Sequence, residues 1–204
     1  FRSPEARGIA RCVTHRFSFL RRLLNSASAW SAFSLVPFLF LVGLIAILGV
    51  DQVYADELYF VPFISDVRVH GLAGLAGVAD LLNEHRPATA RLLILVHALL
   101  SRWNVQWELL YSPVLALFSA GLLVSLMRFS FPQLSLLLRG MLGAAVVWMS
   151  LSLTQWDNWS QSIAVAFYLT NVTFLSTLVL LYRWRASWSA VSAAVVFAAL
   201  SSFS

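Results

Sequence analysis

The sequence predicts an all-α integral membrane protein with about five transmembrane helices and short interfacial helices in the loop after the first one. Its composition is 60% hydrophobic, and only 11% of its residues are charged, against about 25% in soluble domains. Several uninterrupted apolar runs also approach the roughly 20 residues that a helix needs to cross a bilayer. The core of a single soluble domain does not require so many apolar runs of this length.

The N-terminal segment, residues 1–29, is predicted to be a basic cytoplasmic leader. All basic residues of the chain are arginines, and six of them precede the first apolar run: Arg2, Arg7, Arg11, Arg16, Arg21 and Arg22. Such a segment beside a span binds anionic lipids on the cytoplasmic face. It either forms a short amphipathic helix there or stays a solvated leader. No recognition motif accompanies the net charge of +5, so we expect no nucleic-acid partner.

Residues 30–50 are predicted to form the first transmembrane helix, with Pro37 in its first turns. The run is long for a signal peptide and has no clear cleavage site, so we expect it to be retained. An extracytoplasmic loop, residues 51–104, follows. Residues 105–204 then form a four-helix membrane bundle, with apolar runs at about 107–127, 140–155, 162–182 and 186 to the end. The chain begins at Phe1 and stops inside an apolar run, so we expect both ends to be truncated.

Residues 88–101 are apolar but short for a crossing, and the positive-inside rule decides between two topologies. If this piece crosses, seven arginines fall on each side of the membrane. If it stays outside, ten arginines are cytoplasmic, because Arg128, Arg139, Arg183 and Arg185 join the leader, and four are outside: Arg68, Arg86, Arg91 and Arg102. The second topology is favoured. It places all acidic residues except Glu5 on or near the outer face.

The loop itself is predicted to contain two short helices separated by a glycine-rich joint, residues 71–77. Apolar residues on both sides of the joint have a spacing that would lay apolar faces on the membrane surface. They are Val61, Phe63 and Ile64 before it, and Leu75, Val78, Leu81 and Leu82 after it.

Asp56 and Glu57 are adjacent acids a few residues beyond the first span. A carboxylate near an apolar boundary can act as a general base or help to hold a divalent cation. The alternative is that both carboxylates are simply solvated. The sequence does not identify a metal.

Glu84, His85 and Arg86 precede Pro87 and an apolar helix. The planar donor fork of arginine suits phosphate, and histidine can carry protons or bind a metal. The alternative is a helix N-terminus whose charges face lipid headgroups. Asp157 lies between Trp156 and Trp159, which are expected to belong to an interfacial aromatic belt.

Two further polar features are expected to be structural. His97 interrupts the short apolar piece, and we expect it to be packed and satisfied rather than a ligand. Thr170, Asn171 and Thr173 lie in a span, where we expect interhelix hydrogen bonds.

Together these stretches resemble the N-terminal module of the C-type (GT-C) membrane glycosyltransferases. The resemblance rests on the acidic pair after the first span, on Glu84-His85-Arg86-Pro87 followed by Arg91-Leu92-Leu93, and on Gln155-Trp156-Asp157-Asn158-Trp159. It also includes RWNVQWELL at residues 102–110 and FYLTN at residues 167–171. Similar motifs occur in a group of uncharacterised bacterial multi-span proteins.

The resemblance implies an inverting transferase of the bacterial inner membrane that uses a sugar carried on polyprenyl phosphate. Asp56, with Glu57 beside it, would then be the catalytic acid pair, as base or metal contact. Glu84, His85, Arg86 and Arg91 would bind the donor near its phosphate. Asp157 would be the second outer-loop acid.

Two other classes of function remain open. A non-catalytic accessory subunit would pack its Phe- and Trp-rich faces against other membrane subunits of a larger complex. A transporter has less support, because the chain has no evident inverted repeat and few intramembrane charges.

Overall fold

The computed structural model describes residues 26–52, 58–80, 88–161, 164–184 and 187–202, and in these ranges the chain is helical with no strand. This confirms the predicted all-α membrane fold. The α-helices are α1 (Ala27–Leu48), α2 (Phe60–His70), α3 (Ala88–Ser101), α4 (Val105–Glu108), α5 (Tyr111–Ser130), α6 (Leu136–Ser150), α7 (Trp156–Trp159), α8 (Val165–Trp184) and α9 (Trp188–Ser202). Two 3-10 helices, Gly71–Ala79 and Leu153–Gln155, also lie within the described ranges.

Four helical stretches in the described ranges are long and apolar enough to cross a membrane: Ala27–Leu48, Val105–Ser130, Leu136–Gln155 and Val165–Trp184. At a rise of about 1.5 Å per residue, each can span the roughly 30 Å of a hydrocarbon core. The last predicted run forms α9, which has 15 residues, and α3 has 14. Both are shorter than a typical crossing helix.

Polar side chains begin three of the described α-helices. The Ser26 hydroxyl accepts a hydrogen bond from the backbone N–H of Ala29 at 3.4 Å, and Ser135 accepts one from Leu138 at 3.3 Å. The amide oxygen of Asn104 accepts from the N–H of Trp107 at 3.0 Å. Serine and asparagine suit this position because a helix start leaves backbone donors without partners.

The long helices pack in a row, α1 against α6, α6 against α5, α5 against α8 and α8 against α9. Their shared core contains Leu41 and Ile45 of α1, with Ala116 and Ala120 one turn apart on α5. Small residues at such positions let helix backbones approach closely, which is the usual way that membrane helices associate.

A second core covers the N-terminal ends of α5 and α8, and we call the elements that build it the cap: α2, the 3-10 helix Gly71–Ala79 and α3. Phe60, Phe63 and Ile64 of α2 pack there with Ile94 of α3 and Val165 of α8, among other apolar residues. The prediction that Phe63 and Ile64 lie on the membrane surface is therefore wrong, because protein rather than lipid covers this face.

The glycine-rich joint also differs from the prediction, since it is itself a 3-10 helix folded back on α2. Gly71 begins it with φ 60°, a conformation that favours glycine. At Gly74 a Cβ atom would lie 2.6 Å from the carbonyl oxygen of Asp66, so a side chain is excluded there. Leu81 and Leu82, predicted for the second short helix, lie outside the described residues.

The loop between α1 and α4 leaves and returns at the same end of the bundle. The Asp51 carboxylate accepts a hydrogen bond from the N–H of Val105 at 2.7 Å, and the Gln106 side chain donates one to the Ala46 carbonyl at 2.9 Å. This agrees with the favoured topology, in which residues 88–101 do not cross. We call this the cap end. The opposite end carries Arg128, Arg139 and Arg183, and we call it the arginine end.

Candidate functional site

Most of the predicted site lies outside the described residues. This applies to Asp56, Glu57, Glu84, His85 and Arg86. Arg91 is described in full, and Asp157 is described as a backbone position in α7. The site is therefore built from Arg91, from the position of α7, and from the polar groups between α3 and α5.

Arg91 lies in the first turn of α3 on the face that packs into the cap, and only 5% of its surface is exposed. Its Nη1 donates hydrogen bonds to the carbonyls of Gly77 at 2.6 Å and Val78 at 3.5 Å. Its guanidinium carbon lies 5.9 Å from the centre of the Phe63 ring, a cation–π arrangement. Arg91 thus joins α3 to the 3-10 helix and to α2.

The electrostatic setting of Arg91 is unusual for a charged side chain. Burial lowers the pKa of its guanidinium, and the negative charge of Asp80 partly offsets this by raising it. Arginine nevertheless keeps its charge in proteins. Its Nε is buried and has no hydrogen-bond partner among the described residues. An unsatisfied buried donor of a charged group is costly, so this atom favours an additional acceptor nearby.

A polar network links the end of α3 to the start of α5. His97, which is buried, has Nδ1 2.8 Å from the Tyr111 hydroxyl and Nε2 2.8 Å from the Asn104 carbonyl. Because a carbonyl only accepts, Nε2 carries the proton and Nδ1 accepts from the tyrosine. The Ser101 hydroxyl lies 2.9 Å from the same Nε2. The prediction of a packed, satisfied histidine is confirmed.

The residues beside this network were given no role in the sequence analysis. Glu108 is 1% exposed, and its Oε2 accepts a hydrogen bond from Trp103 Nε1 at 3.1 Å. Trp103 and Arg102 both adopt positive φ angles, 61° and 58°, so the chain reverses sharply between α3 and α4. The sequence signal that could have indicated this reversal is the polar link between two apolar runs, Ser101-Arg102-Trp103-Asn104. Nothing in it indicated that the next acid would be buried.

Asp157 belongs to α7, which is fixed at the cap end by its last residue. Trp159 is fully buried, its Nε1 donates to the Ser152 carbonyl at 3.0 Å, and its ring stacks on Tyr168 with centroids 5.1 Å apart. The prediction that both tryptophans form an interfacial belt is therefore wrong for Trp159, which is part of the bundle core.

A mostly apolar cleft of about 330 Å³ opens at the cap end between α1, α4 and α7. Ile45, Leu48, Leu109 and Trp156 line it, and Gln52 is one of its few polar residues. The lining suits a hydrocarbon chain better than a polar ligand.

Within the described ranges, no group of three or more His, Cys, Asp or Glu side chains could hold a metal ion. The expectation of a divalent cation at Asp56 and Glu57 concerns residues outside those ranges and stays a prediction. Comparison with protein-family models, curated proteins and solved structures finds no match to this chain.

Proposed function

We propose that this protein is a membrane glycosyltransferase-like enzyme that uses a polyprenyl-phosphate-linked sugar, and that it binds this donor at the cap end. The observation that carries the proposal is the buried Arg91 guanidinium, which retains a donor without a partner in the described residues. It lies in α3, which begins directly after the segment that contains Glu84, His85 and Arg86.

The chemistry of such a donor fits two features of the cap end. Its phosphate needs a cation that water does not screen, and charge-assisted hydrogen bonds from arginine serve this purpose well. Its polyprenyl chain needs an apolar surface that opens to lipid. Arg91 in the cap supplies the first, and the apolar cleft lined by Leu48 and Leu109 supplies the second at the same end of the bundle.

In the proposed reaction, a hydroxyl oxygen of the acceptor attacks the anomeric carbon of the sugar. The Asp56 carboxylate takes the proton of that hydroxyl, with Glu57 as the neighbouring acid. The bond between the anomeric carbon and the phosphate oxygen breaks, and polyprenyl phosphate leaves with the electron pair. Glu84, His85, Arg86 and Arg91 position the phosphate, and Asp157 is the second acid at this end.

The test has two stages. First, the intact protein is purified in mild detergent, and native mass spectrometry measures whether a polyprenyl phosphate co-purifies with it. Second, wild type and Asp56→Asn are reconstituted with a radiolabelled polyprenyl-phosphate sugar and native membranes, and the release of polyprenyl phosphate is measured.

We expect Asp56→Asn to abolish transfer while the protein still inserts. Asp66→Asn is the matched control, because Asp66 is an exposed acid of α2 that pairs with His70. Full transfer by the Asp56 variant would remove this carboxylate from the mechanism.

A second candidate, a non-catalytic accessory subunit, is favoured by Asn171. This residue is exposed on α8 between the exposed side chains of Phe167 and Phe174, and within the described residues its amide makes no hydrogen bond. An amide that faces lipid is costly, so a helix of a partner subunit would satisfy it. The prediction of interhelix bonds is wrong for the hydroxyls of Thr170 and Thr173, because both donate within α8, to Ala166 and Leu169. The Thr170 carbonyl does accept an interhelix bond, from the Ser201 hydroxyl of α9 at 3.3 Å.

Size measurement in mild detergent distinguishes the two candidates. An accessory subunit should co-purify in a stoichiometric assembly that Asn171→Leu disrupts, whereas the matched variant Gln133→Leu, in the loop at the arginine end, should leave it intact. A stable monomer would contradict the accessory function.

A further inference from the structure

The arginine end contains a cleft that the proposed sugar transfer does not use. It has a volume of about 430 Å³ and lies between α1, α5 and α6. Arg128 and Arg139 line it, together with Trp30 and the hydroxyl-bearing residues Ser31 and Ser34. The cleft therefore combines two cations with further hydrogen-bonding groups at one end of the bundle.

Glycines of two helices line this cleft. Gly121 of α5 and Gly140 and Gly143 of α6 are among its lining residues. A Cβ atom at Gly140 would overlap the indole ring of Trp30, whereas one at Gly121 would meet no atom within 4 Å. A side chain at Gly121 would therefore narrow the opening, whereas Gly140 makes room for the Trp30 ring that lines the cleft.

The two guanidinium groups have no acidic partner to neutralise them among the described residues. Arg139 donates from Nε to the Leu134 carbonyl at 2.8 Å, which holds it over the turn between α5 and α6 and leaves its terminal nitrogens for another acceptor. The sequence of α1, α5 and α6 contains no Asp or Glu at all. The helices that border the cleft therefore cannot supply a counter-charge.

The lining changes from charged to apolar with depth. On α5, Val124 lies about one helical turn before Arg128. On α6, Ala144 and Val147 lie about one and two turns after Arg139. All three apolar residues line the same cleft as the two arginines. A soluble anion would use only the guanidinium groups. A lipid uses both parts, with its phosphate at the arginines and an acyl chain along the apolar wall.

We propose that this cleft binds an anionic phospholipid, with the headgroup phosphate held by Arg128 and Arg139. Arginine forks match phosphate oxygens, and basic pockets between membrane helices bind anionic headgroups in this way. The site lies at the opposite end of the bundle from Arg91. It stands whether or not the protein transfers sugars.

The experiment measures lipid retention by native mass spectrometry after release from nanodiscs that contain phosphatidylglycerol and phosphatidylcholine. Wild type should retain phosphatidylglycerol selectively. The double variant Arg128→Gln/Arg139→Gln should retain it about tenfold less, because charge-assisted hydrogen bonds to the phosphate are lost. Arg183→Gln is the matched control, since Arg183 is at the same end but lies over the rings of Phe129 and Trp184 and does not line the cleft. It should retain wild-type levels.

A second measurement separates the cleft from the basic leader, whose six arginines also attract anionic lipids. Phosphatidylglycerol should raise the thermal unfolding temperature of the wild-type protein in detergent more than that of the double variant, and phosphatidylcholine should raise neither. Equal retention by the double variant and wild type, or equal effects of the two lipids, would overturn the proposal. Displacement of the lipid by millimolar inorganic phosphate would also overturn it, because it would assign the site to a soluble anion.

Discussion

The carboxylate of Asp51 accepts a hydrogen bond from the backbone N–H of Val105 at 2.7 Å. Asp51 follows α1 and Val105 begins α4, so this bond closes the loop that contains the cap. It also satisfies one of the backbone donors that a helix start leaves open. Asp51, distant in sequence, thus adds an acceptor at the start of α4 to the one that the local cap Asn104 supplies.

Asp51→Ala should lower the free energy of unfolding by about 1 kcal/mol, because the first N–H of α4 loses its acceptor. Chemical denaturation in detergent micelles measures this. Asp66→Ala is the control: its pair with His70 is exposed on both sides, and such pairs contribute at most about 0.5 kcal/mol. Equal losses in the two variants would contradict a capping role for Asp51.

Cysteine labelling should show that α3 does not cross the membrane. In a Cys12→Ser background, which removes the native cysteine, Leu72→Cys and Trp107→Cys place thiols before and after α3 at exposed positions. A membrane-impermeant maleimide should label both from the same side of the membrane. Gln133→Cys, in the loop between α5 and α6, should be labelled from the other side. Labelling of residues 72 and 107 from opposite sides would mean that α3 crosses.

Gly140→Ala should lower the free energy of unfolding by about 1–3 kcal/mol, the usual range for overpacking. The added methyl group would collide with the indole of Trp30, so α1 and α6 must move apart. Gly43→Ala, where nothing lies within 4 Å of the new atom, should be neutral or stabilising by up to about 1 kcal/mol. Thermal unfolding in one detergent compares the two variants. A similar unfolding temperature for both would contradict the prediction, because it would show that the Trp30 ring moves aside without a loss of stability.

Arg91→Gln should weaken the cap, because the bonds to Gly77 and Val78 are lost. Hydrogen exchange of residues 71–79 should therefore rise severalfold. If Arg91 also binds the donor phosphate, the same variant should lose co-purified polyprenyl phosphate, and Arg91→Lys should recover it in part because the charge remains. Faster exchange with unchanged lipid retention would assign Arg91 a purely structural role.

The sequence predicted four of the five spans and the short helix α3 well, because long apolar runs and their interruptions are visible in the order of the residues. The fifth predicted run forms α9, which has 15 residues. The prediction failed where an apolar side chain could be covered either by lipid or by the protein core. Phe63 and Ile64 were assigned to a lipid surface, and Trp159 to an interfacial belt, yet protein covers all three. Hydropathy records that a side chain avoids water, but it does not distinguish lipid from a neighbouring helix.

The candidate site was predictable to a lesser degree. His97 was expected to be satisfied because it lies in an apolar run, and its partners Tyr111 and Asn104 confirm this. The burial of Glu108 was not predictable, since it depends on a chain reversal through two positive-φ residues that are not glycine. The hydroxyls of Thr170 and Thr173 could donate hydrogen bonds either within α8 or to a neighbouring helix. Only the packing of α8 decides which of the two bonds forms.

The separation of charge between the two ends means that the membrane potential acts on this protein. Within the described residues, Arg128, Arg139 and Arg183 lie at one end, while the cap end has more acids (Asp51, Asp66, Asp80, Glu108 and Asp157) than arginines (Arg68, Arg91 and Arg102). Moving one elementary charge through 100 mV changes the energy by about 2.3 kcal/mol, so reversing the three arginines alone would cost about 7 kcal/mol. An energised membrane, negative inside, therefore adds to the preference for the orientation with the arginine end inside, and a de-energised membrane removes that contribution.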